Sequence, residues 1–322
     1  MKHFLKENDF DATERQEIFS LAAGCKENRM HHPKPLEGQT WGMLFYKNST
    51  RTRVSFEVGL GDMGARVVVL DKSSMQIGRG ESLADTAEVF SRYLHGLVIR
   101  SFGHDIVEDF SRFGSIPIVN ALTDFLHPCQ IYSDVFTLAE KWGGRGDDLE
   151  SVKGRRLAFF GDCCCNMANS WILAASLFDI DLVLCGPDSF QPQQDILDLM
   201  QAQGLEPRHT FTSDPDQAAS GADALYTDVW VSMGKEEESR QRIAQMKPYS
   251  VTSDLMAKAK PDALFLHCMP THPGLEVTQN VLDSDQAHLY DQAENRLHMQ
   301  KAILAQLASQ TIQMDSNQDD LL

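Results

Sequence analysis

Residues Asn48–Arg53 place three hydroxyl groups and two arginines in one short stretch. They follow the apolar run Trp41–Tyr46, which predicts a buried strand, and precede Val54–Leu60, which predicts a helix. The first turn of a helix has unpaired N–H groups and a partial positive charge, and arginine offers paired donors to phosphate oxygens. We interpret the stretch as a phosphate-binding loop. The alternative is an N-capped surface helix with solvated arginines, but a cap needs only one hydroxyl group.

Further polar clusters come at the ends of other predicted strands. They are Arg100, His127–Gln130, Asp162–Asn166, Asp228–Met233 and His267–Pro270. Ligands of open α/β sheets bind outside the carboxyl ends of the strands, so these clusters predict one shared site. Each cluster also has a plain structural interpretation: a snorkelling arginine, a loop histidine, packing cysteines, an Asp turn and a buried cysteine.

Strand and helix patterns alternate along the whole chain. Strands are predicted over residues 65–70, 97–100, 116–121, 157–160, 182–185, 222–226 and 263–266. Helices are predicted over residues 8–29, 85–94 and 130–142 and from about residue 294, with Asp85 and Glu88 in a capping arrangement. The pattern predicts an α/β protein with two doubly wound domains, mainly parallel sheets, long joining helices and an active site in the interdomain cleft.

The predicted division of the chain puts residues 1–137 in the first domain, completed by a C-terminal helix at 294–310. Residues 138–293 form the second domain, and residues 311–322 form an acidic tail that frays. A length of 322 residues suits two domains of ordinary size.

Composition and charge exclude several classes of protein. The net charge is −17, from 29 basic and 46 acidic side chains, which argues against nucleic-acid binding. No apolar run reaches the roughly 20 residues of a membrane helix, so no membrane partner is expected. The N-terminal residues lack a secretory apolar core, which predicts a cytoplasmic protein. The seven cysteines follow no regular framework, which predicts reduced thiols.

Two other ligand classes have partial motifs here. Residues Gly59–Gly64 match the dinucleotide pattern GxGxxG, but they end a predicted helix and lead into a strand, whereas the fingerprint must follow a strand and open a helix. The cysteines and His267 lack the spacing of zinc sites. Neither a metal nor another cofactor is therefore predicted.

Taken together, the clusters resemble the aspartate/ornithine carbamoyltransferase family over about residues 40–307. The resemblance implies that the first domain binds carbamoyl phosphate and the second binds L-ornithine. It implies carbamoyl-phosphate contacts from Ser49, Thr50, Arg51, Thr52, Gln76, Arg100, His127, Pro128, Cys129, Gln130, Cys268, Met269 and Arg296. Gln76 is expected to reach into a neighbouring subunit, which implies a homotrimer.

The second substrate separates the branches of this family. The ornithine branch carries Asp-x-Trp-x-Ser-Met-Gly, present here as Asp228–Gly234, and His-Cys-Leu-Pro, seen here as His267–Pro270 with Met269 replacing leucine. These matches imply ornithine contacts from Asn166, Asp228, Ser232 and Met233. The chain departs from the family at Cys165, where an asparagine is usual.

The resemblance implies transfer of the carbamoyl group of carbamoyl phosphate to the δ-amino group of L-ornithine, giving L-citrulline and phosphate, a reaction of arginine metabolism. The implied catalytic residues are Arg51, Arg100, His127, Asp228, Cys268 and Arg296. The alternatives are a carbamoyltransferase for N-acylornithine or putrescine, and a non-catalytic paralogue that binds carbamoyl phosphate.

Overall fold

The chain folds into two units, each built on a parallel sheet. The structure, a computed structural model, describes residues 1–29, 31, 33–71, 82–231 and 239–319. Unit 1 comprises Met1–Asp148 and Glu294–Leu322, and unit 2 comprises Leu149–Ala293. The predicted α/β class with two parallel-sheet domains is confirmed. Unit 1 includes the whole helix Pro128–Gly143, so the division lies between Asp148 and Leu149 rather than between residues 137 and 138.

In unit 1, the described strands form a sheet in the order β2-β1-β3-β4, and every pairing is parallel. The strands are β1 (Thr40–Phe45), β2 (Arg66–Asp71), β3 (Gly96–Arg100) and β4 (Ile118–Leu122). Residues Trp41–Phe45 are all buried, as expected for a parallel strand covered on both faces. The strand order reverses between β1 and β3, and the crevice at such a point is where an open α/β sheet binds its ligand.

Helices cover the sheet of unit 1. They are α1 (Ala12–Glu27), α2 (Thr50–Asp62), α3 (Leu83–Tyr93), α4 (His104–Phe113), α5 (Pro128–Gly143) and, from Glu294 onward, α12 (Leu289–Asp319). Helix α3 begins after Ser82, whose hydroxyl group accepts from the Asp85 backbone N–H at 3.0 Å. The predicted cap by Asp85 is therefore wrong, because Asp85 already lies inside the first turn.

In unit 2, the described strands form a sheet in the order β7-β6-β5-β8-β9, again entirely parallel. The strands are β5 (Arg156–Phe160), β6 (Asp181–Cys185), β7 (His209–Thr212), β8 (Ala224–Thr227) and β9 (Leu264–His267). The order reverses between β5 and β8, which identifies the ligand-binding edge of this unit. Sequence patterns did not predict β7, because it has four residues and none of them is buried.

The helices of unit 2 enclose a second apolar core. They are α6 (Asn166–Phe178), α7 (Gln194–Ala202), α8 (Pro215–Ala219), α9 (Ser239–Met246), α10 (Ser253–Met256) and α11 (Gln279–Leu282). Helix α6 is buried along most of its length, including Trp171, which packs edge-on against Tyr226 of β8 with ring centroids 5.5 Å apart. This packing fixes the start of α6 relative to the sheet.

Three further sequence predictions have clear outcomes. Residues Gly59–Gly64 do end helix α2 and lead into β2, so the rejection of a dinucleotide fingerprint is confirmed. Helix α12 begins at Leu289 rather than near Glu294, and it continues to Asp319. Residues 311–319 of the predicted tail continue this helix, and no glycine or proline interrupts the sequence there.

The cysteines are all free, in agreement with the predicted reduced thiols. Over the part of the chain that the structure describes, no helix combines the length and apolar character needed to cross a lipid bilayer.

Candidate active site

The polar residues of unit 1 meet at the carboxyl ends of β1 and β3. Ser49 is the N-cap of α2, and its hydroxyl group accepts from the Thr52 backbone N–H at 3.3 Å. Thr50 and Arg51 open the helix, Thr50 exposed and Arg51 partly buried. The loop therefore presents a capped helix N-terminus, which favours an anion.

Thr52 connects two arginines from distant parts of the chain. Its Oγ1 atom accepts from Arg296 Nη2 at 2.7 Å and from Arg100 Nη1 at 3.4 Å. Arg100 is the last residue of β3, Arg296 lies on α12, and all three side chains are buried. Two guanidinium groups held next to a helix N-terminus form a strongly electropositive centre, suited to a phosphate.

His127 shares this environment. It is the N-cap of α5 and is buried, and Pro128 follows it at the first helical position. Burial, and then the positive charges of Arg296 and Arg100, hold the pKa of His127 well below its usual value of 6.5. The imidazole is therefore neutral near pH 7, so it can donate one N–H to a carbonyl oxygen without adding a charge.

The rest of the His127–Gln130 motif is also buried. Gln130 donates from Nε2 to Asp134 Oδ1 at 2.8 Å, which orients its amide group. Among the described residues, Gln130 Oε1 has no hydrogen-bond partner, so it can accept from an amide N–H of a ligand. The Cys129 thiol donates to the Asn120 carbonyl oxygen at 3.3 Å, and burial raises its pKa to about 12. Cys129 is therefore an uncharged packing residue.

Lys47, which the sequence patterns did not single out, supports the same edge of the sheet. It forms an ion pair with Asp124, and its Nζ lies 4.5 Å from the centroid of the Phe102 ring. These contacts connect the loops that follow β1, β3 and β4. A lysine next to the Ser49 loop was the available signal, but nothing in the sequence identified its partners.

In unit 2, the two predicted acceptor motifs meet. Asp228 Oδ1 accepts from the Cys268 thiol at 3.0 Å and from the Val229 backbone N–H at 2.7 Å. Asp228 follows β8 and Cys268 follows β9, and both side chains are partly exposed. A carboxylate with a thiol beside it, open to solvent, can hold an amino group.

A buried histidine supports the loop that carries Cys268. His267 Nδ1 accepts from the Met269 backbone N–H at 2.8 Å, and its Nε2 lies 3.4 Å from Glu276 Oε1. Met269 has a positive φ of 58°, a conformation that non-glycine residues rarely adopt, so the turn after Cys268 is tightly constrained. This turn also contains Met269, predicted to contact carbamoyl phosphate.

Asp228, His267 and Cys268 form a possible set of metal ligands. One ligand atom from each lies within 4.8 Å of the other two, and thiolate, imidazole and carboxylate groups suit zinc. Both imidazole nitrogens already face protein partners, so a metal would have to displace the Met269 N–H or Glu276. No metal site is predicted from the sequence.

The cysteine run lies between β5 and α6. Asp162 Oδ1 accepts from the Cys164 backbone N–H at 3.1 Å and from its thiol at 2.9 Å. Cys165 is the N-cap of α6, and Asn166 is the first helical residue, partly exposed. Burial, and then the charges of Asp162 and Asp228, raise the pKa of Cys165 well above its usual value, so its thiol is neutral.

The predicted site residues Gln76, Ser232 and Met233 lie outside the described residues. The others fall into two clusters. The donor-side cluster in unit 1 comprises Ser49, Thr50, Arg51, Thr52, Arg100, His127, Pro128, Cys129, Gln130 and Arg296. The acceptor-side cluster in unit 2 comprises Asn166, Asp228, Cys268 and Met269.

Two residues beside the acceptor-side cluster were not predicted as contacts. They are Asp162 and Arg242, which form an ion pair with each other. Asp162 belongs to a polar cluster that the sequence did identify, but its partner could not be read from that cluster. No local signal distinguished Arg242 from other surface arginines.

Comparisons with known proteins match the two parts of the chain to two different family models. Residues 2–140 match the model of the aspartate/ornithine carbamoyltransferase carbamoyl-P binding domain, and residues 153–307 match that of the Asp/Orn binding domain. An ornithine carbamoyltransferase of Geobacter sulfurreducens is 42% identical over 309 residues, which is 95% of this chain and 99% of that protein. One from Methanoculleus marisnigri is 45% identical over 84% of this chain and 85% of that protein.

Solved structures lead to the same conclusion. The ornithine carbamoyltransferase of Pyrococcus furiosus matches with a TM-score of 0.87 and 39% identity, over 94% of this chain and 96% of that one. The similarity covers both units and both clusters. The chain therefore belongs to the aspartate/ornithine carbamoyltransferase family.

Proposed function

We propose that this protein transfers the carbamoyl group of carbamoyl phosphate to the δ-amino group of L-ornithine, giving L-citrulline and phosphate. The observation that carries the proposal is the contact between the two motifs of the ornithine branch. Asp228 of the first accepts a hydrogen bond from Cys268 of the second at 3.0 Å. The nearly full-length similarity to proteins named ornithine carbamoyltransferase supports the same activity.

The donor-side cluster suits carbamoyl phosphate. Arg100 and Arg296, fixed by Thr52, and Arg51 in the first turn of α2 neutralise the charge on the departing phosphate. Neutral His127 donates to the carbamoyl oxygen, which gains negative charge when the carbonyl carbon is attacked. This arrangement stabilises the transition state more than the ground state.

The acceptor-side cluster suits the amino acid. Asp228 accepts an N–H of the δ-amino group, and Cys268 lies beside it, so the nitrogen lone pair is left for the carbonyl carbon. Asn166, Ser232 and Met233 hold the α-amino and carboxylate end. The new C–N bond forms as the bond from carbon to the phosphate oxygen breaks, the electron pair of that bond leaves with phosphate, and phosphate takes up the proton that the nitrogen loses. The proposal requires the two bound substrates to lie next to each other with water excluded.

A substrate panel tests the activity. Carbamoyl phosphate is incubated with L-ornithine, N-acetylornithine, putrescine or L-aspartate, and the carbamoylated product is identified by mass spectrometry. We expect efficient product formation with ornithine alone. Preference for N-acetylornithine or putrescine would establish the alternative transferase, and no product with binding of carbamoyl phosphate would establish the non-catalytic paralogue.

Two arginine variants test whether the donor-side cluster takes part in the reaction. Arg51→Met is expected to lower kcat/KM by about a hundredfold or more, because it removes a charge that the departing phosphate needs. Arg53→Met is the matched control, since Arg53 lies two residues further along α2, is exposed and pairs with Glu57 at 3.8 Å. Equal activity of the two variants would contradict the assignment.

We further propose a homotrimer in which Gln76 completes the site of a neighbouring subunit. Light scattering is expected to give three times the chain mass of 36.1 kDa. Gln76→Ala and Arg51→Met proteins are each expected to be nearly inactive, and mixed oligomers are expected to regain activity because some sites then lack both changes. No recovery in verified mixed oligomers would contradict a shared site. The predicted place in arginine metabolism and the cytoplasmic location stay predictions.

A further inference from the structure

Arg242 contacts three loops at the carboxyl edge of the unit 2 sheet. It lies on α9, and its guanidinium group donates to the Trp230 carbonyl oxygen and forms an ion pair with Asp162 Oδ2. The guanidinium carbon also lies 4.7 Å from the centroid of the Phe190 ring. The Arg242 side chain is only 12% exposed. One cation therefore links the loops after β5, β6 and β8.

Asp162 connects Arg242 to the start of α6. One of its carboxylate oxygens pairs with Arg242, and the other accepts from the backbone N–H and the thiol of Cys164. The short segment Asp162–Cys165 leads directly into Asn166, the first residue of α6. The position of Asn166 therefore depends on the Asp162 carboxylate, which in turn depends on Arg242.

Trp230 connects Arg242 to the loop that carries Asp228. The Trp230 side chain is 2% exposed and lies against Gly161, where a Cβ atom would be 3.0 Å from Trp230 Nε1. With its ring packed there and its carbonyl oxygen bound to Arg242, Trp230 has little freedom to move. Asp228 is two residues earlier on the same loop, so fixing Trp230 also restricts the position of the Asp228 carboxylate.

Arg242 also distinguishes two neighbouring carboxylates. Asp162 and Asp228 both lie close enough to Cys165 for their charges to affect its thiol. Arg242 neutralises Asp162, whereas the hydrogen bonds that the Asp228 carboxylate accepts from described residues come from uncharged groups. A cationic amino group entering this region is therefore attracted to Asp228 rather than to Asp162.

We propose that Arg242 is a positioning residue for the amino-acid acceptor: through Asp162 and the Trp230 carbonyl group it sets the relative positions of Asn166 and Asp228. The inference rests on the proposed function, because it assigns Arg242 to the ornithine side of that reaction. The donor-side cluster lies in unit 1, whereas Arg242 contacts the unit 2 loops that carry Asn166 and Asp228, so its effect is expected on the acceptor.

The test compares Arg242→Met and Arg242→Lys with Arg240→Met. Arg240 is the matched control, since it is an exposed arginine on the same helix. Arg242→Met is expected to raise the KM for ornithine about tenfold or more, because both acceptor loops lose a fixed position. The KM for carbamoyl phosphate is expected to stay within about twofold. Arg242→Lys retains the charge but not the planar fork, so its KM for ornithine is expected to be intermediate.

A second set of variants separates positioning from folding. Asp162→Asn is expected to raise the KM for ornithine as Arg242→Met does, and the double variant is expected to be no worse than the more severe single one. Guanidinium ion at millimolar concentration is expected to restore part of the ornithine affinity of Arg242→Ala. Circular dichroism melting curves identify any variant that fails to fold. If Arg242→Met fails to fold, the KM values of Arg242→Lys and Asp162→Asn decide whether Arg242 positions the acceptor loops.

Three outcomes would overturn the inference. They are an unchanged KM for ornithine in Arg242→Met, equal rises in both KM values, and fully additive effects of the two single variants. Absence of citrulline formation by the unmodified protein would instead refute the proposed function. The two failures are therefore distinct.

Discussion

Thr52 illustrates how much of the candidate site depends on single atoms. Its hydroxyl oxygen accepts from Arg100 and Arg296, although 244 residues separate it from Arg296. Arginine side chains lose considerable rotamer freedom when they are fixed, and a shared acceptor holds both before the ligand arrives. Preorganisation of this kind increases affinity for a phosphate without any new contact.

Replacing Thr52 with valine tests this role. The substitution conserves shape but removes the acceptor that two buried guanidinium groups share, a cost of about 1–3 kcal/mol. We expect the KM for carbamoyl phosphate to rise about tenfold and the KM for ornithine to change little. Thr86→Val is the control, because Thr86 is an equally buried threonine of unit 1 whose hydroxyl group donates to the Ser82 carbonyl oxygen at the start of its own helix. A similar rise in the KM for carbamoyl phosphate in both variants would show that loss of any buried hydroxyl group has this effect, and it would contradict the specific role of Thr52.

Asp228 tests the acceptor side at the same scale. Asp228→Asn retains an oxygen for the Cys268 thiol but removes the negative charge that attracts an amino group. We expect kcat/KM for ornithine to fall about a hundredfold, with the KM for carbamoyl phosphate within about twofold. Asp254→Asn, at an exposed aspartate of unit 2, serves as the control. Equal losses for both substrates would contradict the proposed role of Asp228.

At the scale of elements, the loop after β5 is the most constrained part of the acceptor side. Gly161 has a φ of 115°, which L-amino acids with a side chain rarely adopt, and Trp230 packs against its Cα. The loop thus needs glycine both for its backbone conformation and for the close approach of Trp230.

Gly161→Ala is therefore expected to destabilise the fold by about 1–3 kcal/mol through backbone strain. Displacement of Trp230 is also expected to raise the KM for ornithine. Gly204→Ala is the matched control, since Gly204 has a φ of 64° but nothing within 4 Å of the position that a Cβ atom would take, so only stability is expected to fall. Chemical denaturation and steady-state kinetics measure the two effects. An unchanged KM for ornithine in Gly161→Ala would show that Trp230 does not position Asp228.

Element positions were largely predictable from the sequence where burial is continuous. Strands β1, β5 and β6 have long apolar runs because helices cover both faces of a parallel sheet, and such runs are visible locally. Strand β7 was missed because it is short and only partly buried. Helix ends were less predictable: the cap of α3 is Ser82 rather than Asp85, and both residue types suit that position.

Several histidines of the molecule are buried or partly buried, which makes its stability depend on pH. Burial, and then the charge of Lys6, lowers the pKa of His104 to about 4, and the pKa values of His3 and His298 are also lowered to about 4. In the unfolded chain these groups titrate near 6.5. Between pH 6.5 and 4 the unfolded state binds more protons, so stability is complete above pH 6.5 and decreases as the pH falls towards 4.

We expect the Tm to fall by about 5 °C or more between pH 7 and pH 4.5, measured by differential scanning calorimetry. His104→Gln is expected to reduce this dependence, because glutamine can still bond Thr123 but takes up no proton. The exposed His31 provides the control variant His31→Gln, for which the slope of Tm against pH is expected to be unchanged. A slope that is identical in all three proteins would exclude His104 as a contributor.

The sequence by itself determined the α/β class, the types of chemistry available and the edges of the sheets where they lie. It could do so because apolar runs mark buried strands, and parallel strands place their following loops at one edge. Only the tertiary structure decided the partners: Thr52 with Arg100 and Arg296, Asp228 with Cys268, and Arg242 with Asp162. These residues lie 40 or more positions apart, and local patterns carry no information about which distant side chains meet. Such contacts arise from the order in which strands and helices pack.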